Sequence, residues 1–209
     1  MIVVIDYGMG NLRSVSKALE SLGASVRISS EAEDVAAAQK LVLPGVGSFG
    51  AAMGELERRG LCGPIKTALA SGTPYLGICL GLQLLFESSE ESPGTKGLGI
   101  LPGTVRHFAF PSPLKIPHMG WNQVTSVQRA AYSVQDGCPI LKDILEGSFF
   151  YFVHSYYAEP ADRSLIALEA DYGVRFAAMV WCENLFATQF HPEKSQSVGL
   201  QLLRNFISL

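Results

Sequence analysis

The chain has 209 residues, 48% of them hydrophobic and 17% charged, with a net charge of −3 from 16 basic and 19 acidic side chains. That length and apolar content suit one well-buried domain rather than a disordered chain, and the charge offers no field for a nucleic-acid backbone. Cys62, Cys79, Cys138 and Cys182 form no C-x-x-C pair, and His107, His118, His154 and His191 are equally scattered, so no disulfide frame, metal site or cofactor is expected.

Met1 leads straight into Ile2–Asp6, a β-rich run with no basic leader and no long apolar stretch, which predicts a cytoplasmic protein without membrane contact. Further strands are expected at Ser25–Ser29, Lys40–Leu43 and Pro74–Ile78, short and apolar as strands buried on both faces are. Between them, Leu12, Val15, Leu19 and Leu22 fall at helical spacing from Asn11 to Gly23, the stop being a glycine. Helices are also expected at Glu31–Ala38, Ser48–Arg58, Leu61–Ala70 and Leu80–Phe86, giving the β-α-β-α order of a parallel sheet covered on both sides. The charge runs Glu55–Arg59 and Glu87–Glu91 read as solvated helix faces.

From Ser92 to Pro117, nine prolines and glycines, Pro111 and Pro113 among them, exclude long helices. Phe149–Val153, Leu165–Ala170, Ala177–Trp181 and Leu185–Gln189 then read as strands in quick succession, and Ser195–Ile207 as a closing helix. The stretch from Val127 to Gly147 carries no motif and is given no role. The fold class expected is α/β: one domain over 1–209, a mostly parallel central sheet with helices on both faces, and additional antiparallel strands in the C-terminal half.

Gly77-Ile78-Cys79-Leu80-Gly81 follows an apolar strand and opens a helix. This is the pattern of a nucleophile elbow, with sulfur in place of a serine oxygen. Gly77 and Gly81 leave room where a side chain would strike the neighbouring strand or helix, and amide N–H groups at the helix start favour a thiolate. Most free cysteines are small buried hydrophobes, which is the reading for Cys62, Cys138 and Cys182; the elbow sets Cys79 apart.

A sulfur nucleophile whose leaving group is an amine needs an imidazole, and the imidazole needs an acceptor to fix its tautomer. His191 and Glu193, in Gln189-Phe190-His191-Pro192-Glu193, lie just beyond a strand and point the same way if that stretch is extended. By itself His-Pro-Glu is equally compatible with a solvated surface pair. His107, His118 and His154 are competing bases, with His154 at the end of a strand the first of them.

Gly45-Val46-Gly47-Ser48-Phe49-Gly50 formally matches the dinucleotide fingerprint G-x-G-x-x-G. No acidic residue ends the next strand to hold a ribose; that strand leads to Cys79. The preferred reading is a glycine-rich loop beside the nucleophile, whose backbone N–H groups, with that of Leu80, stabilise an oxyanion.

Together with Val153-His154-Ser155-Tyr156 and Glu193-Lys194-Ser195, these motifs resemble the class I (triad) glutamine amidotransferases, a flavodoxin-like α/β family, over nearly the whole chain. Asp6-Tyr7-Gly8-Met9-Gly10-Asn11 and above all Pro117-His118-Met119-Gly120-Trp121-Asn122 are similar, within that class, to the glutaminase subunits of imidazole glycerol phosphate synthases. The resemblance implies that Cys79, His191 and Glu193 hydrolyse glutamine through a glutamyl thioester. It also implies that Gly45, Val46, Gly47, Leu80, Gln83, Ser155 and Tyr156 hold the glutamine, and that ammonia passes to a separate (β/α)₈ cyclase subunit in a heterodimer.

Met119, Trp121 and Asn122 follow a proline-rich run and read as loop residues that either tuck under the sheet or face a partner; Trp and Met are enriched at interfaces, which favours the partner. By resemblance Asn11 and Lys194 touch the cyclase too. Rival readings are the glutaminase of another synthase (anthranilate or pyridoxal phosphate), a cysteine peptidase on the same elbow, and a nucleotide-binding module using Gly45–Gly50.

Overall fold

A computed structural model describes residues 1–110, 114–127 and 137–209. In chain order the elements are β1 (Ile2–Ile5), α1 (Leu12–Ser21), β2 (Val26–Ser29), α2 (Ala32–Ala36), β3 (Lys40–Gly45), α3 (Phe49–Arg58), α4 (Cys62–Ala70), β4 (Tyr75–Cys79) and α5 (Leu80–Gln83). There follow β5 (Ser88–Ser89), β6 (Gly103–His107), β7 (His118–Ser126), β8 (Phe149–His154), β9 (Tyr156–Pro160), β10 (Ile166–Asp171), β11 (Arg175–Cys182), β12 (Leu185–Thr188) and α6 (Gln196–Ser208).

Nine strands form one mixed sheet in the order β2-β1-β3-β4-β12-β11-β10-β7-β8. The pairings from β2 through β12 are parallel, and those from β12 through β8 antiparallel. Along β1, Val3 and Ile5 enter one apolar cluster while Ile2 and Val4 enter the other, the period of two that a strand covered on both faces requires. One cluster takes Val35 of α2, Met53 and Leu56 of α3 and Ile65 of α4; the other takes Val15 and Leu19 of α1 and Leu202, Leu203 and Phe206 of α6. Helices therefore cover both faces of the parallel half. No described helix is long and apolar enough to cross a membrane.

Three expectations need correction. The helix after Cys79 ends at Gln83 instead of running to Phe86, because the carbonyls of Leu84, Leu85 and Phe86 accept from the amides of Leu98, Ile100 and Gly99. Met119, Trp121 and Asn122 sit on β7, not in a loop, and pair with β8, while Val124–Ser126 at the end of the same strand pair with β10; the strand alternates buried His118 and Val124 with exposed Met119 and Trp121, a period of two that the preceding prolines mask.

Glu87–Glu91 is no helix face: Glu87 accepts from Gly103 N, Glu90 from His107 N, and Glu91 from Phe49 N. β5, β6 and β9 also form a separate three-stranded sheet that the sequence pattern does not announce.

Within 92–117 the described residues contain no helix; Pro111 and Pro113 lie outside them. Of the unassigned stretch, 128–136 is likewise outside. Its described remainder packs on α6, with Ile140 fully buried and the Asn205 amide donating to the carbonyls of Ile140 and Lys142.

Candidate active site

The three central parallel strands end side by side. Gly45 closes β3 in register with Cys79, which closes β4, and β12 on the other side of β4 leads through Gln189 and Phe190 to His191. Cys79 has φ 56° and ψ −108°, a strained backbone conformation for a residue with a Cβ, held because the surroundings over-determine it. A Cβ on Gly81 would lie 1.9 Å from the Leu43 carbonyl oxygen, and one on Gly77 2.7 Å from that of Gly81. Only glycine lets the chain turn this tightly against β3.

His191 donates from Nδ1 to Glu193 Oε1 at 2.8 Å, with 3% and 1% of the two side chains exposed. Burial alone would lower the imidazole's proton affinity; the Cys79 sulfur and the Glu193 carboxylate outweigh it and raise the pKa to about 9. His191 Nε2 and Glu193 Oε2 are buried and make no conventional hydrogen bond. Nδ1 being committed to the carboxylate, Nε2 is the nitrogen left for chemistry at the sulfur. Cys62 and Cys138 lie elsewhere in the fold and Cys182 is exposed.

A cavity of about 310 Å³ opens over Cys79, lined by Val46, Gly47, Leu80, Gln83, Glu91, Pro117, Val153, His154, Ser155, Tyr156 and His191. Six of the residues expected to hold the ligand therefore line it. Gly45 does not; it sits behind the elbow, where a Cβ would meet the Tyr7 hydroxyl at 2.6 Å and Leu80 Cβ at 2.7 Å. Gln83 spends both amide protons on the Tyr156 carbonyl (2.9 Å) and Gln189 Oε1 (3.0 Å), so its contact with a ligand would use its oxygen. Of the rival bases, His154 lines the cavity but donates to the Tyr156 carbonyl at 2.8 Å, and burial drives its pKa to about 3. An imidazole held that neutral is a poor proton carrier near pH 7.

Two lining or neighbouring residues escape the sequence reading. Gln189 is fully buried, and its amide lies 3.6 Å from Cys79 Sγ; its place two residues before His191 was the available signal. Glu91, hidden in an acidic run, is the one acid among the described residues lining the cavity.

The start of α3 is taken as well. Phe49 N donates to Glu91 Oε2 at 2.7 Å and Gly50 N to Ser92 Oγ at 3.0 Å, so a phosphate there would meet a carboxylate, which argues against the dinucleotide reading. Among the described residues, no three of His, Cys, Asp and Glu converge as a metal-ligand set.

Met119 and Trp121 project from β7 with 61% and 46% exposure; Lys194 lies over the Tyr151 ring of the adjacent β8. Asn11 sits half-buried at the start of α1, and Asn122 bonds the Asp171 carbonyl at 2.8 Å.

The class I glutamine amidotransferase model matches residues 3–209. Imidazole glycerol phosphate synthase subunit HisH of Rhodopirellula baltica is 53% identical over 206 residues, covering 99% of this chain and 96% of its own. HisH of Syntrophotalea carbinolica is 53% identical over 211 residues, covering 99% and 98%. A crystal structure of a glutamine amidotransferase shares the fold, with a TM-score of 0.74 at 18% identity over 100% of this chain and 98% of its own.

Proposed function

Because the chain belongs to the class I glutamine amidotransferases, we propose that it is the glutaminase subunit of an imidazole glycerol phosphate synthase, releasing ammonia from glutamine for a partner in histidine biosynthesis. Cys79, His191 and Glu193 carry the reaction. The Cys79 sulfur attacks the carboxamide carbon, and the oxygen's developing charge faces the backbone N–H groups of the Val46–Gly47 loop and of Leu80. His191 gives a proton to the departing nitrogen, so ammonia leaves and a glutamyl thioester remains. The same imidazole then takes a proton from water, whose oxygen displaces the sulfur to give glutamate. Glu193 fixes the tautomer and stabilises the imidazolium.

Glutamine carries an α-ammonium that needs an anion, and Glu91 is the lining residue able to supply one while Glu193 is held by His191. Gln83 would accept from the substrate, and the backbone at Ser155 and Tyr156 would complete the cradle. The partner is a (β/α)₈ cyclase subunit in a heterodimer, docked on Met119, Trp121, Asn122, Asn11 and Lys194, and the whole of 1–209 is one amidotransferase domain in the cytoplasm.

The observation that carries this reading is Cys79 at a positive-φ strand tip, close enough to the Glu193-bound imidazole to raise its proton affinity. The test is glutamate release with the cyclase subunit present. Cys79→Ala abolishes it while the complex still assembles, and the isolated wild-type chain is nearly inactive; turnover surviving the substitution would remove the nucleophile assignment.

A further inference from the structure

Beneath the exposed face of β7 lie two histidines that the triad does not use. His118 and His154 are 3% and 6% exposed and face each other across the β7–β8 pair, in register. Their protons are fixed by their partners. His154 Nδ1 contacts the Tyr156 carbonyl at 2.8 Å, so Nδ1 carries the hydrogen and Nε2 accepts. His118 Nδ1, 3.0 Å from that Nε2, must then be the donor, which makes His118 Nε2 an acceptor. The Asn122 amide meets it at 3.3 Å while also donating to the Asp171 carbonyl, and Asn122 Oδ1 accepts from Gln123 N, so its orientation is settled too.

The far end of this chain reaches the sulfur. The Tyr156 carbonyl that receives His154 also receives Gln83 Nε2; that same amide donates to Gln189 Oε1, and Gln189 Nε2 lies against Cys79 Sγ. Six hydrogen bonds thus run without a gap from Asn122 to the nucleophile, the buried segment having one self-consistent proton arrangement. Stacking of His118 between Phe152 (4.9 Å) and Tyr172 (4.0 Å) keeps the ring from swinging away. An apolar side chain would fill this aromatic slot at least as well, so packing does not explain why two imidazoles occupy it.

We propose that His118 and His154 are positioning residues for Cys79: by holding the Tyr156 carbonyl, they orient the Gln83 and Gln189 amides that set the sulfur. A partner seated on β7 would act on this chain through Asn122. The inference rests on the glutaminase reading only for its turnover consequence; the effect on the sulfur stands apart from it.

The experiment has three arms. In the uniformly ¹⁵N-labelled full chain, both histidines show the neutral Nδ1–H tautomer, and an Nε2–H tautomer at His118 would overturn the proposal without any variant. Alkylation of Cys79 by iodoacetamide, followed at the Cys79 peptide by mass spectrometry, slows several-fold in His118→Leu. It recovers in His118→Asn, whose amide nitrogen replaces the Nδ1–H donor.

In the complex with the cyclase subunit, kcat for glutamate release falls roughly tenfold in His118→Leu, and His118→Asn again recovers it. Equal rates in the wild type and a folded His118→Leu, or no recovery in His118→Asn, would sink the relay alone. Variant-dependent alkylation with no glutamate release by the wild type would sink the glutaminase reading and leave the relay standing.

Discussion

The His191 ring and the Glu193 carboxylate meet at 2.8 Å although Pro192 begins a 3₁₀ turn between them. His191 itself is extended (φ −100°, ψ 96°), and the turn brings the carboxylate back over the ring. The Ser195 hydroxyl fastens the turn by donating to the His191 carbonyl. Pairing of positions 191 and 193 thus comes from a tight turn, where the sequence reading places them on one side of an extended stretch just beyond the strand.

That pairing sets a pH dependence. The folded pKa of His191, about 9, lies above its ordinary 6.5, so the folded protein binds this proton more tightly than the unfolded chain. The resulting contribution to stability is complete below about pH 6.5 and disappears as pH climbs through about 9. Glu193→Gln removes one of the two groups that raise the pKa, so the NMR titration midpoint of His191 shifts down and glutaminase kcat falls by at least about tenfold.

Strain at Cys79 predicts a trade between stability and activity. Positive φ in a non-glycine residue costs about 1–3 kcal/mol, and the greater freedom of unfolded glycine offsets up to about 1 kcal/mol of any relief. Cys79→Gly and Cys79→Ala both lack activity, and Cys79→Gly melts higher, by about 1 kcal/mol in chemical denaturation. A lower midpoint for the glycine variant would contradict this.

At Gly81 the opposite holds. The Leu43 carbonyl 1.9 Å from a prospective Cβ is strand backbone and has nowhere to move. Gly81→Ala destabilises by about 3 kcal/mol or more, read as a large drop in the thermal midpoint or the loss of a cooperative melt.

Glu91 serves two ends, capping α3 and facing the cavity. Glu91→Gln keeps an acceptor for Phe49 N and loses the charge. Hydrogen bonds to charged groups contribute about 1.5–3 kcal/mol, so the KM for glutamine rises about tenfold or more with the melting temperature little changed. An unaltered KM would exclude Glu91 from substrate recognition.

Trp121 is half-exposed, with its ring edge toward Tyr151 at 6.2 Å. Trp121→Ala changes the stability of the isolated chain by less than about 1 kcal/mol. Under the proposed docking on β7, it weakens binding to the cyclase subunit by about 2 kcal/mol or more, measurable by titration calorimetry.

Local physics alone determined much of this protein. The β-α alternation, the elbow that needs Gly77 and Gly81, the cysteine at its tip, and the His-Pro-Glu segment are each written in a few adjacent residues, because strand period, helix period and glycine's missing Cβ act over that range. Tertiary structure decided the rest. Strand β7 was hidden behind prolines, since its partners β8 and β10 are distant in sequence and strand pairing is a contact property. Glu91 looked like a solvated charge until the fold set it against α3. The path from Asn122 to Cys79 runs through side chains and one main-chain carbonyl drawn from four separate stretches of sequence, and no periodicity marks it, because hydrogen-bond partners across a sheet are chosen by register.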